Sequence, residues 1–237
     1  MRDEVFRSPR SQIVDFVFDE SVAAAFPDMI RRSVPGYETV IPLTGLIAAR
    51  HARSGAKCYD LGCSLGATSM AVLQQLETPN CSIVAVDNSA AMLERARALH
   101  GNQTRIEWVH ADVRDVPIEN ACAVLMNYTL QFVPGEDRLP LLQRIREGLD
   151  PSGVLIVSEK VHFADEWQQS YFEHTHVAYK RANGYSALEV AQKRTALEKV
   201  LIPDRIEDHE ARFRAAGFGR VHIWFRCLNW VSFVAML

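Results

Sequence analysis

A chain of 237 residues, 48% of them hydrophobic, holds enough apolar side chain to bury one sizeable core. A formal net charge of −3 and a pI near 6.2 supply no excess positive field, which argues against tight holding of a long nucleic acid and for a small ligand. Five cysteines, odd in number and mostly inside apolar runs, read as reduced thiols of a cytoplasmic protein, and neither a leader pattern nor an apolar run of the roughly 20 residues a membrane helix needs is present.

In chain order, a polar start leads into a helical pattern with Val22, Ala25, Phe26, Met29 and Ile30 on one face, stopped by Ser33-Val34-Pro35-Gly36. A second helix is expected over Val40–His51, closing on Arg50, Arg53 and Gly55. Strands and helices then alternate: Lys57–Leu61, helix Thr68–Glu77, Ser82–Val86, helix Ala90–His100, Ile106–His110, Ala121–Met126, helix Gly135–Leu149, Gly153–Ser158. That rhythm predicts an α/β fold with a mostly parallel sheet and right-handed crossovers. The segment His162–Ala216 breaks it with charge-rich helical stretches, and two β-rich runs, His222–Cys227 and Trp230–Met236, suit an antiparallel pair at a sheet edge. Without repeats or Gly/Ser linkers, the expectation is one ligand-binding domain: a helical cover (1–55), a nucleotide-binding core (56–161), a helical insertion (162–216) and terminal strands (217–237).

The ligand chemistry concentrates at strand ends. In Cys58-Tyr59-Asp60-Leu61-Gly62-Cys63-Ser64-Leu65-Gly66 a strand runs into a turn of small residues, where backbone can approach a nucleotide-like ligand at Gly62, Ser64 and Gly66. The next strand ends in Asp87-Asn88, roughly 20 residues on, where a carboxylate can accept both hydroxyls of a ribose; Asn88 or Ser89 can equally cap the following helix. Asp112 can accept from an adenine amino group while the Val113 amide donates to the ring, and Asn127 can hold ligand or orient its loop, although each alone is also an ordinary turn former. A dinucleotide wants G-x-G-x-x-G aimed at a pyrophosphate, and here Ser64 stands at the second key glycine; S-adenosylmethionine (SAM) has no phosphate and tolerates the serine.

Asp60-x-Gly62, Asp87, Asp112, Asn127, the Leu149-Asp150-Pro151-Ser152-Gly153 turn and Ala216-Gly217-Phe218 resemble the class I SAM-dependent methyltransferase pattern. That resemblance implies a Rossmann-like, seven-stranded sheet with a terminal antiparallel strand. Phe26-Pro27-Asp28-Met29-Ile30, Arg32 to Tyr37, Tyr59 to Ala67, Lys180 to Ser186 and Gln192-Lys193-Arg194 resemble, more narrowly, the carboxy-SAM synthase family. This narrower resemblance implies ligand contacts at Tyr37, Gly62, Cys63, Ser64, Asp87, Asn88, Asp112, Val113, Asn127 and Arg194, and a homodimer with its interface near the inserted helices.

The family reaction joins SAM and prephenate to give carboxy-SAM, phenylpyruvate and water. Prephenate loses carbon dioxide and hydroxide, the hydroxide takes a proton from the sulfonium methyl, and the carbanion captures the carbon dioxide. The product serves a separate transferase that modifies the wobble uridine of tRNA, so stable tRNA binding by this chain is not expected. By the resemblance, Arg194 is the catalytic guanidinium fork for the new carboxylate; read bare, it is a solvated helix charge. Prephenate is a dianion, which makes Lys160, Lys180, Arg181 and Arg226 candidates for holding it. His174 and His176 read as surface histidines rather than a metal pair, and Cys63 as a backbone contact; no metal is expected. The competing functions are a conventional methyltransferase for a small acceptor and a non-catalytic SAM-binding subunit.

Overall fold

The computed structural model describes residues 2–8 and 16–237; the parts of the expected helical cover at 1 and 9–15 lie outside the described residues. Strands β1 (Lys57–Leu61), β2 (Ser82–Asp87), β3 (Ile106–His110), β4 (Ala121–Asn127), β5 (Leu149–Lys160), β6 (Arg220–Cys227) and β7 (Trp230–Met236) form one sheet in the order β3-β2-β1-β4-β5-β7-β6. The first five run parallel, while β7 pairs antiparallel with both β5 and β6, so the two terminal β-rich runs make the expected edge.

Alternation along each strand sorts the core into two layers. Tyr59, Leu61, Val84, Val86, Val124 and Met126 face α5 (Gly135–Gly148) and α8 (Ile206–Ala215) through Leu141, Leu142, Ile145 and Phe213. Cys58, Ile83, Ala85, Ala123 and Leu125 face the other way, onto α2 (Tyr37–Ala49), α3 (Ala67–Gln75) and α4 (Ala90–His100) through Ala48, Val72 and Leu93. Both faces are therefore covered, which is why the central strands are apolar throughout.

α1 (Glu20–Ser33) starts where Asp19 accepts from the Val22 amide, and packs Val22, Ala23 and Met29 on Leu65 and Met92. Gly36, at φ +80°, turns the chain directly into α2, so that helix begins at Tyr37 rather than Val40. β5 likewise begins earlier than expected. Leu149 already pairs with Ala121, and a register shift between Ala121 and Ala123 absorbs the Asp150-Pro151 segment that reads locally as a turn. The insertion becomes α6 (Glu166–Ala182), α7 (Ala187–Leu197) and α8. α6 and α7 are fastened to the cover: Arg32 donates to the Asn183 carbonyl, Tyr179 to that of Arg31, and Tyr185 to the Asp3 carboxylate. No described helix is long and apolar enough to cross a membrane.

Candidate active site

The strand order reverses between β1 and β4, and there the loops leaving the carboxyl ends of the sheet part to open a crevice. A cavity of about 580 Å3 occupies it, roofed by α1, α6 and α7. This volume lies within the range of sites for nucleoside-sized ligands, roughly 300–1,000 Å3.

At one end, the β1 turn is shaped by conformation. Gly62 and Gly66 lie at φ +80° and +78°, and a Cβ on either would collide, with Thr129 and with Trp108 respectively. Ser64 itself takes φ +51°, a left-handed conformation tolerated here because its amide donates to Asp87 Oδ2 at 2.8 Å. Asp87 Oδ1 accepts the Ser89 amide at 2.9 Å. Burial raises the Asp87 carboxyl above the usual range, against the pull of the Ser89 and Ser64 amides and His110. Asp60 is buried below the turn and accepts from Ser69 Oγ at 2.6 Å; burial lifts it to about 7.

Asp112 and Val113 line the same end. The Asp112 carboxylate is gripped by Arg114, Nε to Oδ1 at 3.0 Å and Nη2 to Oδ2 at 2.8 Å, which holds it below the ordinary range and leaves it acceptor-only. Asn127, on the cavity wall, gives its Nδ2 to Thr68 Oγ1 at 3.1 Å, while its buried Oδ1 has no partner among the described residues. Tyr37 stands against Tyr128 with ring centroids 6.1 Å apart; burial raises both phenols, so each stays a neutral donor. Cys63 is also on the wall, and burial, with Asp60 and Asp87 nearby, keeps its thiol protonated, which suits a backbone contact.

Of the sequence candidates, Tyr37, Gly62, Cys63, Ser64, Asp87, Asn88, Asp112, Val113 and Asn127 are brought together around this cavity. Arg194 is not. Its side chain is 68% exposed and pairs with Glu173 at 3.4 Å, so the guanidinium fork expected inside the cavity points outward in this arrangement. Consecutive helical residues project about 100° apart, and α7 turns Lys193 inward instead. Lys160 and Lys180 are on the wall as well, whereas Arg181 and Arg226 are exposed and outside it, Arg226 lying over the Phe163 ring.

His176, read from the sequence as a surface residue, is buried on the wall, its Nε2 2.7 Å from the Ser33 carbonyl, and burial drops it to about 3. Trp230 and Gln131 also line the cavity without having been singled out in the sequence; a strand-end Trp and a loop Gln carry no local signal. Away from the cavity, at the amino edge of the sheet, the sulfurs of Cys58, Cys81 and Cys122 lie within 4.8 Å of one another, with S···S contacts of 3.4 and 3.9 Å.

The profile of the methyltransferase-domain family matches residues 59–153, the stretch that carries the glycine turn, Asp87, Asp112 and Asn127. A carboxy-S-adenosyl-L-methionine synthase of Geobacter metallireducens is 51% identical over 99% of this chain and 98% of its own. The protein of the same name from Pseudomonas putida is 48% identical over 99% and 98%. Among solved structures, human N-acetylserotonin methyltransferase in complex with SAM aligns over 98% of this chain at TM-score 0.63 and 15% identity. An O-methyltransferase family 2 protein from Planctomyces limnophilus aligns over 94% at 0.62 and 18%. The chain spans 61% and 62% of those two longer proteins, and these likenesses show the fold.

Proposed function

The chain belongs to the carboxy-S-adenosyl-L-methionine synthase family, and on that ground we propose that it converts SAM and prephenate to carboxy-SAM, phenylpyruvate and water. The observation that carries the reading is the polarity of the cavity. Asp87 offers a buried carboxylate with free lone pairs to a ribose and Asn127 an unpartnered oxygen to a ligand N–H, while Lys160, Lys180 and Lys193 line the same cavity with cations.

In this reading Asp87 holds the ribose of SAM, Asp112 and the Val113 amide take the adenine, Asn88 flanks the ribose, and Gly62, Cys63 and Ser64 bring backbone against the methionine portion. Tyr37 closes over the sulfonium. The protein positions two reactants and excludes water under α1, α6 and α7; no protein base is required, because hydroxide leaving prephenate accepts the proton.

Arg194 is proposed as the fork for the new carboxylate. It lies close enough to depress the Lys160 and Lys180 amines, and its exposed pair with Glu173 is worth at most about 1 kcal/mol, so swinging inward costs little.

The test is mass spectrometry of nucleosides after incubation with SAM and prephenate. A SAM species heavier by one carbon dioxide is the expected product. Arg194→Ala should keep SAM binding and lose that product; unchanged turnover would remove Arg194 from the mechanism. Unmodified SAM from the wild type, with methyl transfer to a small acceptor instead, would favour a conventional methyltransferase.

The chain is further proposed to act in the cytoplasm as a homodimer that hands its product to a separate tRNA-modifying transferase. Trp167, 72% exposed and stacked at 5.1 Å on exposed Tyr171 of α6, supports an interface at the inserted helices. Sedimentation of wild type and Trp167→Asp would read it, the variant shifting to monomer; a wild type that sediments as a monomer would refute it.

A further inference from the structure

Three ammonium groups from three separate elements converge on one wall of the cavity: Lys160 at the end of β5, Lys180 on α6 and Lys193 on α7. Among the described residues, they share one carboxylate within ion-pair distance, Asp3, 3.5 Å from Lys193. Lys193 also donates to Ser33 Oγ at 3.0 Å. The Lys160 and Lys180 amines have neither a hydrogen bond nor an ion pair to a described side chain, Lys160 bonding to Gln131 only through its backbone amide, and Glu173, the acid that acts on the Lys160 amine through space, is engaged by Arg194. A neutral donor joins them: Trp230, 5% exposed, lines the same cavity, and its indole N–H has no partner among the described residues.

Such a wall is expensive. Burial lowers all three amines, Lys180 to about 7 with repulsion from Lys193, Lys160 and Arg194 adding to it, and Lys193 to about 8 against the pull of Asp3; the three lysines also help keep His176 neutral. Packing alone would be served better by apolar side chains. The ligand that offsets the cost carries more than one negative charge, and it must leave the Asp87 carboxylate of the same cavity free for the adenosine portion of SAM.

We propose that Lys160, Lys180 and Lys193, with the Trp230 indole N–H, form the subsite for the two carboxylates of the dicarboxylic co-substrate. This rests on the function proposed above, since a SAM-only enzyme has no dianion to hold. The carboxylate of the methionine moiety is the other source of the same chemistry, and the experiment separates the two.

The protein is saturated with S-adenosylhomocysteine, which blocks turnover, and titrated with prephenate by calorimetry. The wild type should bind, and Lys160→Met and Lys180→Met should each weaken prephenate by about 30-fold or more while S-adenosylhomocysteine affinity stays within about three-fold. Lys193→Met strands buried Asp3, so it is made together with Asp3→Asn. Unaltered prephenate affinity in the Lys160 and Lys180 variants overturns the proposal, as does a wild type that binds no prephenate. Loss of S-adenosylhomocysteine affinity by the same factor also overturns it and assigns the wall to the methionine carboxylate. If prephenate binds in a lysine-dependent way but no carboxy-SAM forms, the subsite stands and the proposed reaction falls.

Discussion

Replacing Asp87 by alanine should weaken SAM binding by about 100-fold to 1,000-fold without unfolding the chain. The carboxylate is 9% exposed and fixed by two backbone donors, Ser64 to Oδ2 at 2.8 Å and Ser89 to Oδ1 at 2.9 Å, so both oxygens are oriented before ligand arrives. Each retains acceptor capacity for one ribose hydroxyl. A hydrogen bond to a charged acceptor contributes about 1.5–3 kcal/mol, and two of them near the lower end of that range, about 3–4 kcal/mol together, account for the expected loss. Asn keeps one acceptor oxygen and misaims its NH2 at a donor, so Asp87→Asn should be intermediate. Titration calorimetry with SAM reads both, and affinity within three-fold of wild type in the alanine variant would remove Asp87 from the ribose site.

A pH signature accompanies this. Burial raises the Asp87 carboxyl, so on acidification it takes up a proton at a higher pH than a surface aspartate. SAM affinity of the wild type should fall as pH drops through that raised value, and Asp87→Ala should lack that fall.

Why Asp87 is legible in the sequence and the lysine wall is not follows from where each sits. Asp87 ends an apolar strand at a fixed distance from a glycine turn, and both ends of that relation are local: the strand is set by composition, the turn by backbone conformation. Asp112 and Asn127 are readable for the same reason, since any polar residue at the carboxyl end of a parallel strand points at the crevice. The edge pair β6–β7 is readable from two β-rich runs separated by a short Leu228-Asn229 turn.

The inward faces of α6 and α7 are a different case. Their apolar residues do not mark one stripe, and buried positions in α7 include Glu189, Gln192 and Lys193, so polar contacts to the distant N-terminal cover decide which side faces in. That docking is what exchanges Lys193 for Arg194 at the cavity. The start of β5 was hidden by the opposite effect: Asp150-Pro151 has strong turn chemistry, and pairing of Leu149 with Ala121 overrides it.

If the lysine wall is kept for a ligand, it should cost the unliganded fold, and Lys180→Met should stabilise the protein by about 2–4 kcal/mol below neutral pH. The groups facing Lys180 are mostly cationic: Lys193, Lys160 and Arg194, with Glu173 acting on Lys160 and Asp3 on Lys193. Burial first, and then these neighbours, bring its amine from 10.5 to about 7. The sign follows from linkage. Below pH 7 the amine is charged in both folded and unfolded chains, so the folded chain bears the whole cost; between 7 and 10.5 only the unfolded chain stays protonated, and the cost fades; above 10.5 it is gone. Methionine keeps the stem and never carries the charge. Its advantage should therefore appear as a melting temperature higher by about 5–10 °C at pH 6.5, shrinking steadily as pH approaches 10.5. Saturating prephenate with S-adenosylhomocysteine should reverse the order, because the dianion stabilises only the chain whose ammonium groups are intact. A variant that melts at or below wild type at every pH would mean that Lys180 is solvated rather than held at a cost, and a stabilised variant whose advantage survives prephenate would mean that the cost serves something other than that ligand.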